Sequence, residues 1–292
     1  MYILQQLING LCQGSIYALM AIGYTVNFGV VGLVSFSYGE TVMVGAFGAY
    51  YVFKYTNNFF LGIAVGFLCG GLLGLVHYKV CVEKFFNSPR NISMICTVAF
   101  SMLIKNLAQN FFGEETKPMG DVFKIESYHF FGGLMITNIQ IIVITVVIVT
   151  AIALTIFLNK TRVGTMLRAV SQDRKASSLV GINVKRTTML GNCLGSALGG
   201  ISGVLLGIYY ATIVATMGST VGLKSIISTV LGGLNSIVGS AASAVLIGVL
   251  ENIGIIFINT GLRDIISFLF LVVVLIFSPQ GLFIKRKRRK SQ

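Results

Sequence analysis

The chain has 292 residues, of which 55% are hydrophobic and 11% are charged, and its net charge is +13 at pH 7. Soluble domains carry about 25% charged residues, so this composition excludes an ordinary soluble fold and indicates a protein that crosses the bilayer many times. The bases cluster between Lys160 and Arg186 and between Lys285 and Lys290. Such clusters mark the cytoplasmic face of a membrane protein, so the charge indicates no nucleic-acid partner.

Nine apolar stretches are candidate spans, and glycine interrupts some of them. The stretch 220–234 is short and glycine-rich, and Gly29, Gly32 and Gly39 are able to break a helix near the start of the chain. We therefore predict an all-α polytopic membrane protein with eight or nine transmembrane helices, some of them broken or re-entrant. In chain order, the stretches are 5–28, 33–53, 60–80, 92–112, 139–158, 188–210, 220–234, 237–258 and 262–278.

The distribution of positive charge predicts the sidedness of these spans. The loop 159–187 and the tail 284–292 are basic and are predicted to be cytoplasmic, whereas the acidic loop 113–137 is predicted to lie outside. An even number of spans must then separate the loop from the tail. That favours 220–234 as a crossing and places the N-terminus outside, within a single transmembrane domain over 1–292.

Two of the stretches carry glycine at every fourth residue. Because lipid offers no hydrophobic drive for helices to associate, such positions predict close backbone packing against neighbouring helices. We expect both helices to be central and crossed by more than one neighbour; direct contact with a substrate is the alternative. The glycines are Gly62, Gly66, Gly70 and Gly74 in the first stretch, and Gly191, Gly195, Gly199, Gly203 and Gly207 in the second.

Polar and broken segments within the apolar stretches are candidates for a translocation pathway. Lys105 and Gln109 share a helix face, and Glu40 has the alternative role of an anion at a helix N-terminus. Lys224 and Asp264 are expected to reach the outer interface. Glycine-broken segments around 28–40 and 231–239 form a weak internal repeat. The pathway candidates are Ser35, Phe36, Tyr38, Glu40, Lys105, Gln109, Asn235 and Ser236.

Catalytic chemistry has no counterpart in the sequence. The five cysteines stand singly in apolar runs, and the two histidines have no spacing for a metal or a catalytic triad. A phosphate-binding loop is also missing. We therefore expect no catalytic residue, no metal site and no cofactor in this chain.

The loop 159–187 predicts a short capped helix. Asp173 suits the N-cap of that helix, and Gly181 suits the position just past its end, followed by the hydrophobic Ile182. Ala176 and Leu179 fall on one face. This pattern indicates either a surface that a partner grips or an amphipathic helix that lies on anionic headgroups, and the pattern alone leaves both open.

The loop resembles the coupling segment of bacterial ABC-importer permeases of the branched-chain amino acid and ribose permease group. An arginine, alanine and Gly-Ile pattern carries the likeness in the loop, and the similarity to the H-type permease subunit runs over essentially the whole chain. In the loop it rests on Arg168-Ala169-Val170, Ala176 and Gly181-Ile182, and elsewhere on Gln5–Gly10, Gly14–Leu19, Ile22–Thr25, Val31–Glu40 and Ser278–Phe283.

Two departures from the family pattern stand out. The family often has Asn-Phe-Ala-His-Gly before the acid, whereas this chain has Ser35-Phe36-Ser37-Tyr38-Gly39. The coupling helix of the family often begins with an acid, whereas this chain has Arg174-Lys175. The first departure bears on the substrate, and the second bears on the fit to an ATPase.

The resemblance implies a permease of the bacterial cytoplasmic (inner) membrane that imports leucine, isoleucine and valine by alternating access. It implies four partners: a second, M-type permease subunit, two ATP-binding subunits that hold ATP and Mg²⁺, and an extracytoplasmic amino-acid-binding protein. The residues implied in ATPase coupling are Arg168, Ala169, Asp173, Ala176, Leu179, Gly181 and Ile182.

Two other functions remain open. One is an ABC permease for urea, amides or another amino acid. The other is an ion-coupled secondary transporter, which would need acids at mid-membrane, and only Glu40 and Glu251 qualify.

Overall fold

The computed structural model describes residues 2–86, 89–119, 126–130, 134–256, 263–278 and 281–282. Within them the chain forms eleven α-helices and four short strands. The helices are α1 Tyr2–Val31, α2 Tyr38–Thr56, α3 Phe59–His77, α4 Arg90–Phe112, α5 Asn138–Lys160, α6 Arg162–Gln172, α7 Arg174–Leu179, α8 Val184–Tyr210, α9 Met217–Gly232, α10 Ile237–Gly254 and α11 Arg263–Phe277. The strands are β1 Lys117–Pro118, β2 Ser127–Phe130, β3 Leu134–Thr137 and β4 Thr212–Ile213. The predicted tail 284–292 lies outside the described residues.

Each of the nine predicted spans overlaps one helix of the described residues. In the described part of the chain, six helices (α1, α3, α4, α5, α8 and α10) are long and apolar enough to cross a membrane. Helix α11 is apolar but shorter, and a π-helical segment, Tyr78–Glu83, extends α3. The prediction of an all-α polytopic membrane protein is therefore confirmed.

Local signals in the sequence set the helix ends. The Asn58 side chain accepts hydrogen bonds from two amides in the first turn of α3, and Thr137 and Gln140 form a capping box at the start of α5. These contacts satisfy backbone donors that have no partner inside the helix. Gly32 and Gly233 follow the ends of α1 and α9 with φ angles of +68° and +98°, a conformation that glycine adopts without strain.

Helices α1 and α8 form the centre of the fold, and α3 lies at its edge. Helix α8 packs against α1, α2 and α3, and 78% of its most apolar window is buried. The same measure is 28% for α3, which lies at the edge and packs on α2 and α8, so the expectation of two central helices is wrong for α3. Side chains from α1 form much of the buried core, whereas the glycines of α8 allow the backbones of neighbouring helices to approach closely.

The predicted glycines lie at helix contacts. Gly62 faces the Phe53 ring of α2, and Gly66 and Gly70 face α8. The glycines of α8 contact α1, α6 and α2. Gly191 faces Val30 and Leu167, Gly195 faces Gly23 of α1, Gly199 faces Tyr38 and Thr41, and Gly203 faces the backbone of Val42. One glycine outside the predicted set, Gly200, packs directly on the Gly66 carbonyl.

Two helices begin at mid-depth, after links that turn back into the bundle. We call residues 32–37 the inner link and residues 211–216 the outer link. The Tyr38 hydroxyl donates to the Met20 carbonyl at 3.0 Å, and Met20 lies well inside α1, so α2 starts far from either end of α1. Gly39 and Gly218 are the second residues of α2 and α9, and a Cβ on Gly39 would overlap the Gly218 carbonyl.

These links belong to an inverted repeat. The order α1, inner link, α2, α3 recurs as α8, outer link, α9, α10, and both links have six residues. The packing is reciprocal, because α1 packs on α10 while α8 packs on α3. The sequence paired the first broken segment with 231–239, and the structure pairs it with the outer link instead. Sequence similarity between the halves is too weak to reveal the true partner.

The two ends of α1 fix the sidedness of the fold. The Gln5 side chain at the start of α1 bonds the Met135 backbone in the loop that was predicted to lie outside. Arg174, in the loop predicted to be cytoplasmic, bonds the carbonyl of Val30 at the other end of α1. The chain therefore enters from the same side as the loop 113–137, as the charge distribution predicted. On that side, β1 pairs with β4 and β2 pairs with β3.

Candidate translocation and coupling sites

The loop between α5 and α8 contains the capped helix that the sequence predicts. The Asp173 carboxylate accepts from the amides of Lys175 and Ala176 at 2.8 and 3.1 Å. At the other end, Gly181 has a φ of +84°, and the Ile182 amide donates to the Ser177 carbonyl at 3.1 Å. These bonds close the helix at both ends, so α7 has a defined shape without help from a partner.

The end of α7 that points away from the bundle is apolar and exposed. Leu179 is 87% exposed and Val180 is 75% exposed, and Ala176 is exposed beside them. Ile182 turns the other way and packs against the core. A rigid apolar tip of this kind suits docking to a soluble partner, because its shape is fixed before contact and its burial is favourable.

Arg168 and the loop before α10 line one cavity at the inner end of the bundle. The cavity has a volume of about 670 Å³ and lies between α1, α6 and the start of α10. Arg168 donates to the Asn159 side chain at 3.1 Å, and Asn235 and Ser236 also line the cavity. Ala169 is further from the cavity, and its carbonyl accepts from the Asp173 amide at 3.1 Å.

The inner link is held by polar contacts at mid-depth. The Ser35 amide donates to the Tyr24 hydroxyl at 3.1 Å, and its own hydroxyl lies 3.2 Å from Nε2 of His77. The Phe36 amide donates to the Thr97 hydroxyl at 3.2 Å, and its ring is 40% exposed. His77 was a lone histidine in the sequence, and only the fold reveals its partner 42 residues away.

Glu40 lies where α2 and α9 begin side by side. It is 1% exposed, and one carboxylate oxygen accepts from the Ser101 hydroxyl at 3.0 Å. The other oxygen has no donor among the described residues, and it would lie 2.7 Å from a Cβ on Gly218. Two helix N-termini therefore direct their positive ends towards this carboxylate. The carboxylate accepts from no backbone amide among the described residues, so its role as an anion at a helix N-terminus stays a prediction, and the second helix beside it was not visible in the sequence.

The other pathway candidates fall into separate places. Tyr38 is buried and bonds backbone carbonyls of α1 and α8, so it holds helices together. Lys105 lies one turn after Ser101 on α4, on the side of Glu40. Gln109 donates to Glu114 at 3.3 Å, near the outer end of α4. The structure thus brings Glu40 and Lys105 near each other, places Ser35 and Phe36 apart from them in the inner link, and places Asn235 and Ser236 at the inner cavity.

Sequence reasoning missed a buried charge cluster between α1, α9, α10 and α11. The Lys224 ammonium lies 2.9 Å from Glu251, 2.9 Å from Asp264 and 3.1 Å from the Tyr17 hydroxyl. The Lys224 side chain is 11% exposed and that of Glu251 is 0% exposed. The expectation that Lys224 reaches the outer interface is therefore wrong, because its charge is neutralised inside the bundle. The sequence signal that could have found this cluster is general: a charged residue within an apolar helix needs a partner.

Comparisons with known proteins agree with this architecture. A family model described as the permease component of the branched-chain amino acid transport system matches residues 6–275. The high-affinity branched-chain amino acid transport system permease protein LivH of Salmonella typhimurium is 32% identical over 97% of this chain and 96% of its own. The LivH protein of Escherichia coli K12 is 31% identical, with the same coverage of both chains, and BraD of Pseudomonas aeruginosa is 30% identical over 96% and 95%. No solved structure matches this chain.

The fold defines a polytopic permease with broken helices at its centre. The chain belongs to the family of branched-chain amino acid transport system permease components. The prediction of a multi-pass protein of the inner membrane is confirmed. Its relatives are named as transport permease proteins, which describes a subunit that moves a solute.

Proposed function

We propose that this chain is the membrane-spanning subunit of an ATP-driven importer for leucine, isoleucine and valine. One observation carries the proposal, namely the preformed α7 with Leu179 and Val180 exposed at its tip. A carrier driven by an ion gradient needs no such surface, whereas a permease driven by soluble ATPases does. The names of relatives that align over nearly the whole chain support the cargo.

The proposed assembly divides the work among its chains. Two ATP-binding subunits hold ATP and Mg²⁺ and press on α7, so this chain needs no cofactor. A second, M-type permease completes the path, and an extracytoplasmic binding protein delivers the amino acid. ATP and cargo act only by binding more tightly to one of the outward-facing and inward-facing states. The glycines at the ends of α1 and α9 suit the hinges that such a change needs.

The inner cavity supports an aliphatic cargo. A site for such an amino acid should be mostly apolar with a few polar groups that fix its orientation. Arg168 provides positive charge there, and Thr25, Asn235 and Ser236 provide hydrogen-bonding groups. The apolar lining consists of Val26, Val30, Leu158, Leu167, Ile237 and Val238.

Uptake competition tests the cargo. The chain is co-expressed with its ATP-binding subunits, second permease and binding protein, and uptake of labelled leucine is measured. We expect excess unlabelled isoleucine or valine to abolish the labelled uptake, and urea or acetamide to leave it unchanged. The cargo assignment would be wrong if urea or acetamide competed and valine did not, and the amide permease would then be the better description.

A further inference from the structure

Arg174 leaves the coupling loop, residues 161–183, to contact the inner end of α1. Its guanidinium donates to the carbonyls of Val30, at 2.8 Å, and of Val31. The last carbonyls of a helix have no donor within the helix and carry the negative end of its dipole. An arginine there makes charge-assisted hydrogen bonds, which are stronger than neutral ones.

The same guanidinium also lies against Phe86 and Gly32. Its Cζ lies 5.5 Å from the centre of the Phe86 ring, in the segment that follows α3. Gly32, the first residue of the inner link, has a φ of +68°, and a Cβ there would lie 3.1 Å from Nη2 of Arg174. A side chain at residue 32 would therefore crowd the guanidinium. Arg174 thus joins α7 to the end of α1, to the inner link and to Phe86.

A second contact lies one turn away. The Cβ of Ser171 on α6 is 3.9 Å from where a Cβ on Gly29 of α1 would stand. The coupling loop therefore touches the last turns of α1 at two points. The inner link follows directly, and it leads to Glu40 in the first turn of α2.

We propose that the coupling loop and the inner end of α1 move as one body, with Arg174 as the positioning residue that joins them. A displacement of α7 then reaches the inner link through the Val30 and Val31 carbonyls, and reaches the start of α2 through the link. The inference rests on the proposed function, because the ATP-binding subunits supply that displacement. It assigns a role to Arg174, the first residue of α7.

Two neighbouring bases allow a matched test. Arg174→Gln and Lys175→Gln each remove one positive charge from α7, but Lys175 is exposed and only Arg174 reaches α1. In the full complex in liposomes, leucine uptake and ATP hydrolysis are measured together. For Arg174→Gln we expect uptake per ATP to fall roughly tenfold, the effect of losing about 1.4 kcal/mol of coupling, with ATP hydrolysis within about twofold of wild type.

Lys175→Gln changes the docking helix α7 without affecting a contact to α1, so uptake and ATP hydrolysis should change together and their ratio should stay at the wild-type value. Arg174→Lys should give an intermediate ratio, since it keeps the charge and loses the planar fork. Equal ratios for Arg174→Gln and Lys175→Gln would overturn the role of Arg174. A failure of the proposed function itself looks different, because the wild-type complex would then show no ATP-dependent leucine uptake.

A disulfide between α1 and α6 tests whether the coupling loop and the inner end of α1 move together, without altering Arg174. The Gly29→Cys and Ser171→Cys pair has a Cβ separation of 3.9 Å, inside the range of about 3.5–4.5 Å that disulfides accept. Both positions also line the inner cavity, so the reduced double variant, which has the same substitutions without the bond, is the reference, and each single-cysteine variant is a control. We expect the oxidised double variant to keep uptake and ATP hydrolysis within about twofold of the reduced protein, because parts that move together are not hindered by a bond. Uptake that disappears on oxidation and returns on reduction would refute the proposal, even if Arg174→Gln failed to assemble.

Discussion

At the scale of single residues, Lys224 is a buried cation whose charge is balanced by acidic side chains of other helices. Its ammonium contacts two carboxylates and a phenol, so the three donors of the lysine are all used. Glu251 also accepts from Gln13 at 3.2 Å, and Asp264 is 52% exposed. The cluster joins α1, α9, α10 and α11, and its removal should loosen the outer half of the second repeat.

Lys224→Met is predicted to destabilise the protein strongly. It leaves the Glu251 carboxylate buried without a cation, which costs about 3–5 kcal/mol when one partner of a buried pair is removed. Glu251→Gln should cost less, because Lys224 keeps Asp264, and the double variant should be more stable than Lys224→Met alone. Thermal unfolding in detergent measures all three. If the double variant lost the sum of the two single losses, the pairing would not be the source of the stability.

At the scale of elements, the proposed coupling to ATP-binding subunits depends most on the shape of α7. Its last turn depends on Gly181, and no described atom lies within 4 Å of where a Cβ would stand there. Only the φ of +84° limits the residue at this position. We predict that Gly181→Val displaces Leu179 and Val180, so that uptake falls by roughly tenfold, while the permease still inserts.

Two controls separate shape from general strain. Gly181→Asn should retain most uptake, because asparagine tolerates the left-handed conformation. Gly113→Val places the same residue in an open site at the outer end of α4, where φ is +82°. It should leave uptake close to wild type. An equal loss of uptake for Gly113→Val and Gly181→Val would show that strain anywhere is enough, and would remove the argument for α7.

The elements also show what the sequence can predict. Asp173, Gly181 and Ile182 were assigned correctly because capping joins residues only a few positions apart. The contacts of Lys224 with Glu251 and of Gly39 with Gly218 join residues of different helices. Helix propensity and periodicity contain no information about such pairs. The sequence therefore predicted the capped helix α7 in detail and missed both the charge cluster and the meeting of the two broken helices.

At the scale of the whole molecule, the inverted repeat presents one link to each side of the membrane. Arg174 bonds the end of α1, where the inner link begins, on the side that the charge distribution predicts to be cytoplasmic. Pairing of β1 with β4, in which Pro118 faces Thr212, holds the outer link near the extracytoplasmic side. Both links lead into helices that start together at mid-depth. A force at either face thus reaches the same central contact, which suits a permease that must open on one side while it closes on the other.

The claim that ATPase partners drive this permease has one direct test. The complex of this chain with its second permease, ATP-binding subunits and binding protein is placed in liposomes, and labelled leucine is followed with ATP alone, with a proton or sodium gradient alone, or with neither. The account predicts uptake with ATP and none with either gradient. Uptake that follows an ion gradient in liposomes containing this chain alone, and ignores ATP, would contradict it and establish a secondary transporter.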